Sequence, residues 1–455
     1  MSFPAYPVYK KSDVEWLGEV PEHWILTPLK HLALLNPRKS GYDGDTEQLC
    51  SFVPMEKLKT GVVQLDEERS IVEVIGGYTY FEDGDVLQAK VTPCFENKNI
   101  AIAKGLTNGI GFGSSEINVL RPYQGVNAEY LYYRVQEDSY MDFCTSSMIG
   151  AGGLKRVPTD VINNFKVATP EVFEQTQIAR FLDHETARID ALIEEQQRLI
   201  ELLKEKRQAV ISQAVTKGLD PTVPMKDSGV EWLGEVPAHW ERKRLKNISP
   251  FITVGIVVNP SDYVAEEGLP FIYGGEVKEG LIEVDKARKI SLKDSLRNRK
   301  TMLEAGDIVT MRVGYPGLTA VVPPECEGGN CASVMLVKRG GFDSRWLCAV
   351  MNSRLVRQQV EVVQYGAAQK QFNIADAIEF WMFKPPFSEQ AKIAEFVEEQ
   401  SSIFDELMAE SENSMVLLQE RRSALISAAV TGKIDVRGWQ PVANVQAPTL
   451  EKEVV

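Results

Sequence analysis

The chain has 455 residues, of which 44% are hydrophobic and 25% charged, and its formal net charge at pH 7 is −14. This is the composition of a globular protein, but the length exceeds what one hydrophobic core supports, so we expect several domains. No stretch approaches the roughly 18 consecutive apolar residues of a membrane-spanning helix, and the N-terminus lacks the apolar segment of a secretory signal. The six cysteines are scattered and form no C-x-x-C pair, which favours a reducing, cytoplasmic location and gives no metal-ligand spacing.

The sequence contains a long internal repeat. EWLGEVPEHW at 15–24 returns as EWLGEVPAHW at 231–240, which places Trp24 and Trp240 216 positions apart. EQTQIARFLD returns as EQAKIAEFVE, and KRQAVISQAVTKGLD as RRSALISAAVTGKID, each 215 positions later. Solenoid repeats reach only about 50 residues, so this period predicts two copies of one domain plan.

Each signature segment is followed by a variable stretch, roughly 25–170 and 241–386. Short β-branched runs bounded by Gly and Asn, such as SIVEVI at 70–75, NIAIA at 99–103 and DIVTM at 307–311, predict strands in a mixed α and β domain. GDVLQAKVTP, which begins at Gly84, is echoed by GDIVTMRVGYPG. Two modules that keep a few common segments but differ in the rest of their sequence are typical of domains that bind different ligands.

Each variable stretch is followed by a long helix. Between Glu174 and Thr216 there is neither Gly nor Pro, and Pro170, Gly218 and Gly432 lie at helix boundaries. Apolar residues recur in steps of three and four, the pattern of a coiled coil. They are Ile178, Leu182, Ile189, Leu192, Leu199, Leu203 and Val210, and then Ile393, Val397, Phe404, Leu407, Leu418 and Leu425. We expect the two helices to pack antiparallel as a rod of about 65 Å.

The predicted fold class is therefore α+β, with a pseudo-two-fold internal repeat in which two mixed modules are separated by an antiparallel coiled coil. The predicted boundaries are 1–170 for the first module with its signature segment, 171–218 for the first helix, 219–386 for the second module, 387–435 for the second helix and 436–455 for a flexible tail.

Charge is unevenly distributed along this acidic chain. The segment KARKISLKDSLRNRK at 286–300 contains seven cations and one acid, whereas the last helix is rich in Glu and Asp. Binding to phosphates depends on local positive charge, so overall acidity does not exclude a nucleic-acid ligand. Taken alone, the segment fits a solvated helical face as well as a DNA contact.

These features together resemble the specificity subunits of Type I restriction-modification systems. The resemblance rests on the duplicated WLGEVPxHW segment, on GDIVTMRVGYPG, on GAAQKQFNIADAIEFWMFKPPFSEQAKIAEFVEEQ from Gly366, and on the repeated helices. In the first copy, GAGGLKRVPTD from Gly150 stands where the second has GAAQKQFNIAD.

The resemblance implies two target recognition domains, each reading half of a split, asymmetric sequence in double-stranded DNA. It also implies a non-catalytic subunit that scaffolds two modification (adenine methyltransferase) subunits together with restriction (translocase and nuclease) subunits. S-adenosylmethionine, ATP and Mg²⁺ would be bound by those partners, and this chain would bind no cofactor.

Enzyme motifs are weak in this sequence. KPPF at 384–387 resembles the catalytic NPPF loop of amino-methyltransferases, but Lys384 cannot accept the required hydrogen bond. GIGFGS at 109–114 imitates a cofactor loop, and we interpret it as a hairpin turn. The trio of Asp85, Gln88 and Lys90 faintly suggests a nuclease metal site, but the second copy does not keep it. The sequence also lacks a phosphate-binding P-loop.

Candidate DNA contacts follow from side-chain chemistry, because Arg and Lys reach guanine or phosphate while Asn and Gln pair with adenine. In the first module they are Lys90, Thr92, Lys98, Lys155 and Arg156. In the second they are Arg288, Lys289, Lys293, Arg297, Arg299, Arg312, Tyr315, Lys370 and Gln371. For the histidines and tryptophans of the signature segments, including His23 and Trp24, we expect packing roles.

The function that the sequence favours is that of a non-catalytic protein that recognises DNA through two separate modules. Two alternatives remain open: a self-contained adenine DNA methyltransferase, which would need a site for S-adenosylmethionine, and a coiled-coil adaptor that does not bind DNA.

Overall fold

The computed structural model describes residues 3–39, 42, 44–151, 153–367 and 369–441. The chain divides into two compact units. Unit 1 comprises Met1–Gln196 and Asn413–Val455, and unit 2 comprises Gln197–Glu412. Each unit therefore contains one predicted module together with parts of both long helices.

Unit 1 is built mainly on two four-stranded sheets. One is antiparallel with the order β11-β10-β13-β4, and the other has the order β8-β5-β12-β9 with β5 and β12 parallel. The strands are β1 (Tyr9–Lys11), β2 (Glu19–Pro21), β3 (Ile25–Pro28), β4 (Ala33–Leu35), β5 (Leu49–Val53), β6 (Leu58–Lys59), β7 (Val62–Val63), β8 (Glu68–Ser70), β9 (Thr79–Glu82), β10 (Val86–Ala89), β11 (Ile100–Ile102), β12 (Ile110–Gly113), β13 (Ile117–Pro122), β14 (Ile149–Ala151), β15 (Leu154–Arg156) and β16 (Lys166–Thr169). The helices are α1 (Ile71–Val74), α2 (Ala128–Arg134), α3 (Asp138–Ser146), α4 (Thr159–Asn164) and the first part of α5 (Val172–Lys217).

Unit 2 repeats this plan. Its antiparallel sheet has the order β20-β27-β24-β25, and its second sheet has the order β21-β23-β22-β26 with β22 and β26 parallel. The strands are β17 (Met225–Asp227), β18 (Glu235–Pro237), β19 (Glu241–Arg244), β20 (Ile252–Val254), β21 (Val264–Ala265), β22 (Leu269–Ile272), β23 (Arg288–Ile290), β24 (Ile308–Thr310), β25 (Thr319–Val321), β26 (Asn330–Cys331), β27 (Met335–Val337) and β28 (Trp381–Lys384). The helices are α6 (Leu292–Arg297), α7 (Ser344–Asn352), α8 (Arg354–Val363), α9 (Ile374–Ala377) and α10 (Phe387–Val430), which continues into unit 1.

The long helices run antiparallel within each unit. In unit 1, Arg422 of α10 pairs with Asp190 of α5, and Gln177, nearer the start of α5, binds the carbonyl of Trp439 beyond the end of α10. In unit 2, Arg207 of α5 lies near Asp405. Both helices are free of Pro and Gly, and each is followed by a glycine with positive φ, as at many helix C-termini. The α+β class with its internal repeat and paired long helices is thus confirmed.

The helix seam differs in register from the prediction. Ile178, Leu182, Ile393, Val397 and Phe404 are buried as expected, but three predicted seam residues are exposed. These are Leu192 (45%), Leu199 (41%) and Leu407 (42%). Their places are taken by the next residues along the chain, Ile193, Ile200 and Met408, which are partly or fully covered. Both stripes obey three- and four-residue spacing, and only contact with the partner helix selects between them.

Each signature segment anchors the first turn of the following helix. Glu174 of α5 accepts hydrogen bonds from Trp24 Nε1 at 3.0 Å and Tyr6 OH at 2.7 Å, and its other oxygen lies 2.8 Å from His23 Nε2. In unit 2, Glu389 of α10 accepts from Trp240 Nε1 at 3.1 Å and lies 2.8 Å from His239 Nε2. Both tryptophans are fully buried. The packing role expected for the signature tryptophans is what the structure shows for Trp24 and Trp240, whereas Trp232 is 47% exposed.

Two local predictions were wrong. SIVEVI is not a strand: the chain forms the single-turn helix α1, because Ile71 and Val74, three residues apart, are both fully buried on one face. GIGFGS is not a hairpin turn either, since Ile110–Gly113 form strand β12 inside a sheet. Gly111 is needed there because a Cβ would lie 2.1 Å from the Phe81 ring.

The beginning of the predicted tail packs on unit 1. Val436 is buried, and the ring of Trp439 lies edge-on to Phe181 with centroids 5.3 Å apart. Residues 442–455 of the predicted flexible tail lie outside the described residues. Among the helices that the structure describes, none is both long and apolar enough to cross a membrane.

Candidate nucleic-acid interface

The first module brings four of its five candidate residues together, where β10 ends beside the β14–β15 hairpin. The Thr92 N–H donates to the Lys155 carbonyl at 3.0 Å, and the Lys155 N–H donates to Thr92 Oγ1 at 3.0 Å. The Val157 N–H donates to the Lys90 carbonyl at 3.0 Å. These bonds join Lys90, Thr92, Lys155 and Arg156 into one surface, here called the first junction.

The second module forms the same arrangement, here called the second junction. The Gly314 N–H donates to the Lys370 carbonyl at 3.0 Å, and the Phe372 N–H donates to the Arg312 carbonyl at 3.2 Å. Matching backbone bonds make Lys90 equivalent to Arg312, Thr92 to Gly314, Lys155 to Lys370 and Arg156 to Gln371. Tyr315, 76% exposed, lies on the same loop as Arg312.

A glycine makes each junction possible. Gly150 has φ 140°, and a Cβ there would lie 2.4 Å from the Leu154 carbonyl oxygen. Gly366 has φ 104°, and a Cβ there would lie 2.2 Å from the Gln369 carbonyl oxygen. Side chains rarely adopt such φ values, so only glycine lets the chain fold back closely in both modules.

The first junction contains an acidic residue that sequence reasoning missed. Both carboxylate oxygens of Glu116 accept from Arg156, at 2.9 Å from Nε and 2.7 Å from Nη2. The hydrogen bond to Arg156, supported by the charges of Lys90 and Arg156, holds the pKa of Glu116 below its usual value although partial burial opposes this. No local sequence pattern pointed to Glu116, because it is 40 residues from Arg156 along the chain.

Lys98 does not join the first junction. Its Nζ lies 3.1 Å from the carboxylate of Asp138, and that residue in turn bonds to Ser427 on α10. Lys98 therefore faces the contact between the module and the helices of unit 1.

The basic segment of the second module is divided between two places. Arg288 stacks over the Tyr273 ring at 4.5 Å. The next residue, Gly274, is close to Met311, beside Arg312. Arg288 therefore lies on the side of the second junction, whereas the exposed Lys289, the next residue of β23, points to the other face of the sheet. The exposed Lys293, Arg297 and Arg299 belong to α6 and the turn after it, at the opposite end of β22, where Leu269 pairs with Ile290.

Two residues of the nuclease-like trio, Asp85 and Gln88, have structural partners. Asp85 is 2% exposed and is bound by the Arg121 guanidinium at 2.9 and 2.8 Å, while Gln88 is fully buried and accepts from Tyr140 OH. In the second module, Asp307 is bound by Lys338 at 2.6 Å. No group of three or more His, Cys, Asp or Glu side chains in the described part of the chain is arranged to hold a metal ion.

Known proteins similar to this chain are specificity subunits. The Type I restriction enzyme EcoEI specificity subunit of Escherichia coli is 37% identical over 175 residues, which cover 38% of this chain and 29% of that subunit. The putative Type I restriction enzyme MjaX specificity subunit of Methanocaldococcus jannaschii is 22% identical over 441 residues, covering 94% of this chain and 97% of that one.

A structure solved in work on complex assembly and conformational transition of the Type I R-M system superposes with TM-score 0.72 and 16% identity, over 90% of this chain and 98% of that chain. This similarity supports the fold. No protein-family model matches the sequence. The chain matches less than a third of the length of the EcoEI specificity subunit and of the EcoAI specificity subunit, also from E. coli, 29% of each.

Proposed function

We propose that this chain is a specificity subunit of a Type I restriction enzyme and the DNA-reading subunit of such an enzyme, as its similarity to known specificity subunits supports. Each module reads one half of a split, asymmetric sequence in double-stranded DNA. The observation that carries the proposal is the pair of equivalent junctions, each of which brings a cation that follows a sheet strand, Lys90 or Arg312, beside a lysine of a glycine-dependent hairpin. Two copies of one surface with different side chains suit two different half-sites.

The chemistry of the junctions fits duplex DNA. Lys155 and Lys370 are exposed at equivalent positions and provide point charges for phosphates. Arg156 and Gln371 provide the planar, multi-donor groups that discriminate base edges in the major groove. The net acidity of the chain does not oppose this, because binding to phosphates depends on local charge and each junction carries a net positive charge.

The paired helices α5 and α10 act as the spacer between the half-sites. Their length follows from residue count, since 46 residues at 1.5 Å each give about 69 Å for α5. A rigid spacer makes the distance between half-sites a property of the chain, so the target contains unspecified bases of constant number.

The partners are two modification subunits and the restriction subunits, in the cytoplasm. Exposed apolar residues on the helices support a protein contact. Leu192 and Leu407 occupy equivalent positions of α5 and α10, as do Leu202 (52% exposed) and Leu417 (64% exposed). Replacing Leu192 and Leu407 by Asp should abolish co-purification of the modification subunit, while replacing the covered Ile193 should instead destabilise the chain. Normal co-purification of the Leu192→Asp, Leu407→Asp variant would refute this surface.

The chain itself carries out no catalysis in this proposal. Asp85 and Asp307 are occupied by Arg121 and Lys338, and Lys384 lies within β28, so the motifs that imitate enzymes have structural explanations. S-adenosylmethionine, ATP and Mg²⁺ belong to the partner subunits. The alternative of a self-contained adenine methyltransferase predicts methyl transfer by the isolated chain.

Single-molecule methylome sequencing tests the proposal. Deleting the gene for this chain should remove adenine methylation from one bipartite motif with a fixed unspecified spacer, and supplying the chain again should restore it. Purified chain alone, given labelled S-adenosylmethionine and that DNA, should transfer no methyl groups. A methylome unchanged by the deletion, or methyl transfer by the isolated chain, would refute the proposal.

A further inference from the structure

The two junctions differ in the charge of two positions. Val86 of β10 pairs with Leu120, and the equivalent Ile308 of β24 pairs with Val337. Counting back four residues along the partner strands places Ser333 nearest to the position of Glu116, in a turn that is one residue shorter, since the Ala332 N–H binds the Ile272 carbonyl as the Ser114 N–H binds the Val53 carbonyl. The second junction therefore has the neutral residues Gln371 and Ser333 where the first has the Arg156–Glu116 ion pair.

The other two positions keep their charge. Lys90 corresponds to Arg312, and Lys155 to Lys370. The first junction thus has three cations and one carboxylate, and the second has two cations, so both have a net charge of +2. Equal net charge is what we expect if both junctions bind phosphates, because the contribution of phosphate contacts to affinity does not depend on the base sequence of the DNA. The neutral exchange of the remaining pair changes hydrogen-bonding geometry without altering this charge.

The geometry of the ion pair leaves a reading edge on Arg156. Glu116 accepts hydrogen bonds from Nε and Nη2, which lie along the same edge of the planar guanidinium group. A guanidinium has five N–H groups, so both N–H groups of Nη1 and the second of Nη2 remain. These form the end-on fork that fits guanine O6 and N7, and Glu116 fixes its direction. The Arg156 side chain is 48% exposed, so the fork is accessible.

We propose, on the basis of the function proposed above, that Arg156 oriented by Glu116 reads a guanine in the first half-site and that Gln371 reads an adenine at the equivalent position of the second. The amide of Gln371 supplies one donor and one acceptor, the pattern that adenine N6 and N7 require. Lys90, Arg312, Lys155 and Lys370 bind phosphates. Glu116 is a positioning residue, because it acts through Arg156.

Selection from randomised duplex DNA by the chain assembled with its modification subunits tests this assignment. Arg156→Gln with Glu116→Ser should convert one guanine of the first half-site to adenine and leave the second half-site unchanged. Glu116→Gln alone should reduce the guanine preference at that position by roughly tenfold, and Glu116→Asp should retain part of it. A merely structural Glu116 would weaken all positions of the half-site alike.

The reciprocal variant, Gln371→Arg with Ser333→Glu, provides a second test should the first variant fold poorly. It should convert one adenine of the second half-site to guanine. If wild type selects a bipartite sequence but neither double variant changes a base, the inference is wrong and the proposed function stands. If wild type selects no bipartite sequence, the proposed function itself is wrong.

Discussion

Asp190 of α5 and Arg422 of α10 form a two-point ion pair, with Arg422 Nε 2.8 Å from Oδ1 and Nη2 3.3 Å from Oδ2. Arg422 is largely covered by the module and the helix pair, since its side chain is only 20% exposed. We expect Asp190→Asn and Arg422→Ala each to lower the free energy of unfolding by about 1 kcal/mol. The double variant should lose less than the sum, because both remove one interaction. Urea denaturation of the four proteins measures this coupling.

The equivalent pair in unit 2 is a matched control. Arg207 is 3.8 Å from Asp405, but it also lies 3.5 Å from Glu279, which in turn binds Arg357 at 2.5 Å. Asp405→Asn should therefore cost less stability than Asp190→Asn, since Glu279 still neutralises Arg207. Equal losses from the two substitutions would contradict the view that Glu279 shares this arginine.

Thiol reactivity should single out Cys94. The other five cysteines are buried, and burial raises the pKa of Cys50 and Cys326 to about 11 and of Cys144, Cys331 and Cys348 to about 12. Since the thiolate is the reactive form, native chain at pH 8 should label rapidly at Cys94 only. Mass spectrometry after brief alkylation checks this, and Cys94→Ser should remove the rapid phase.

The same thiols make stability depend on pH in a defined direction. Their pKa values in the folded chain lie above the ordinary value of about 8.5, so the unfolded chain loses these protons first. The stabilisation is complete below about pH 8.5 and is lost as the pH rises above it. Chemical denaturation at pH 8 and pH 10 should show a lower free energy of unfolding at the higher pH, and a smaller decrease in a variant with all five replaced by Ala or Ser, in which buried tyrosines of raised pKa such as Tyr130 still contribute.

The sequence predicted the architecture because the repeat duplicates long-range partners as well as local elements. Trp24 and Glu174 are 150 residues apart, Trp240 and Glu389 are 149 apart, and each pair is hydrogen-bonded. This repeated spacing was the sequence signal from which the hydrogen bond between each tryptophan and its glutamate was predictable. The helix register was not predictable in this way, since Leu192 and Ile193 fit the spacing equally and only the partner helix chooses.

The candidate site was predictable by residue type but not by grouping. Lys90 and Lys155 meet because the β14–β15 hairpin lies beside the end of β10, a contact between residues 65 positions apart. Lys98 has the same chemistry and lies only eight positions from Lys90, yet it pairs with Asp138 instead. Glu116 was missed because an acid is not expected on a candidate DNA-binding surface unless its arginine partner is known.

Salt dependence should report the phosphate contacts. Lys370→Gln should weaken binding to all sequences alike and should reduce the slope of log affinity against log salt concentration by about 0.9, because one counterion fewer is released. Arg297→Ala with Arg299→Ala should reduce it by about 1.8 if each residue binds one phosphate, as the sequence predicts. Fluorescence anisotropy over a range of salt concentrations measures both, and a slope unaltered by Lys370→Gln would contradict the phosphate role of that residue.

The length of the helices should set the spacer. Inserting four residues after Gln196 in α5 and four after Glu412 in α10 adds about one turn, or 6 Å, to both. At about 3.4 Å per base pair, the target should keep both half-sites and gain one or two unspecified base pairs. Two-residue insertions are the control, because they rotate the helix by about 200° and should disrupt the seam. An active four-residue variant with the original spacer would show that the length of the helices does not set the distance between the half-sites.

Exchange of one module tests the central claim most directly, that each half of this chain reads its own half of the DNA sequence. Residues 25–165 are replaced by the corresponding module of a relative with a different target, which leaves the second junction with Arg312 and Lys370 unaltered. Methylome sequencing of cells that carry the hybrid should show a motif with one new half-site, the original second half-site and the original spacer. A motif changed in both halves, or in neither, would contradict the account.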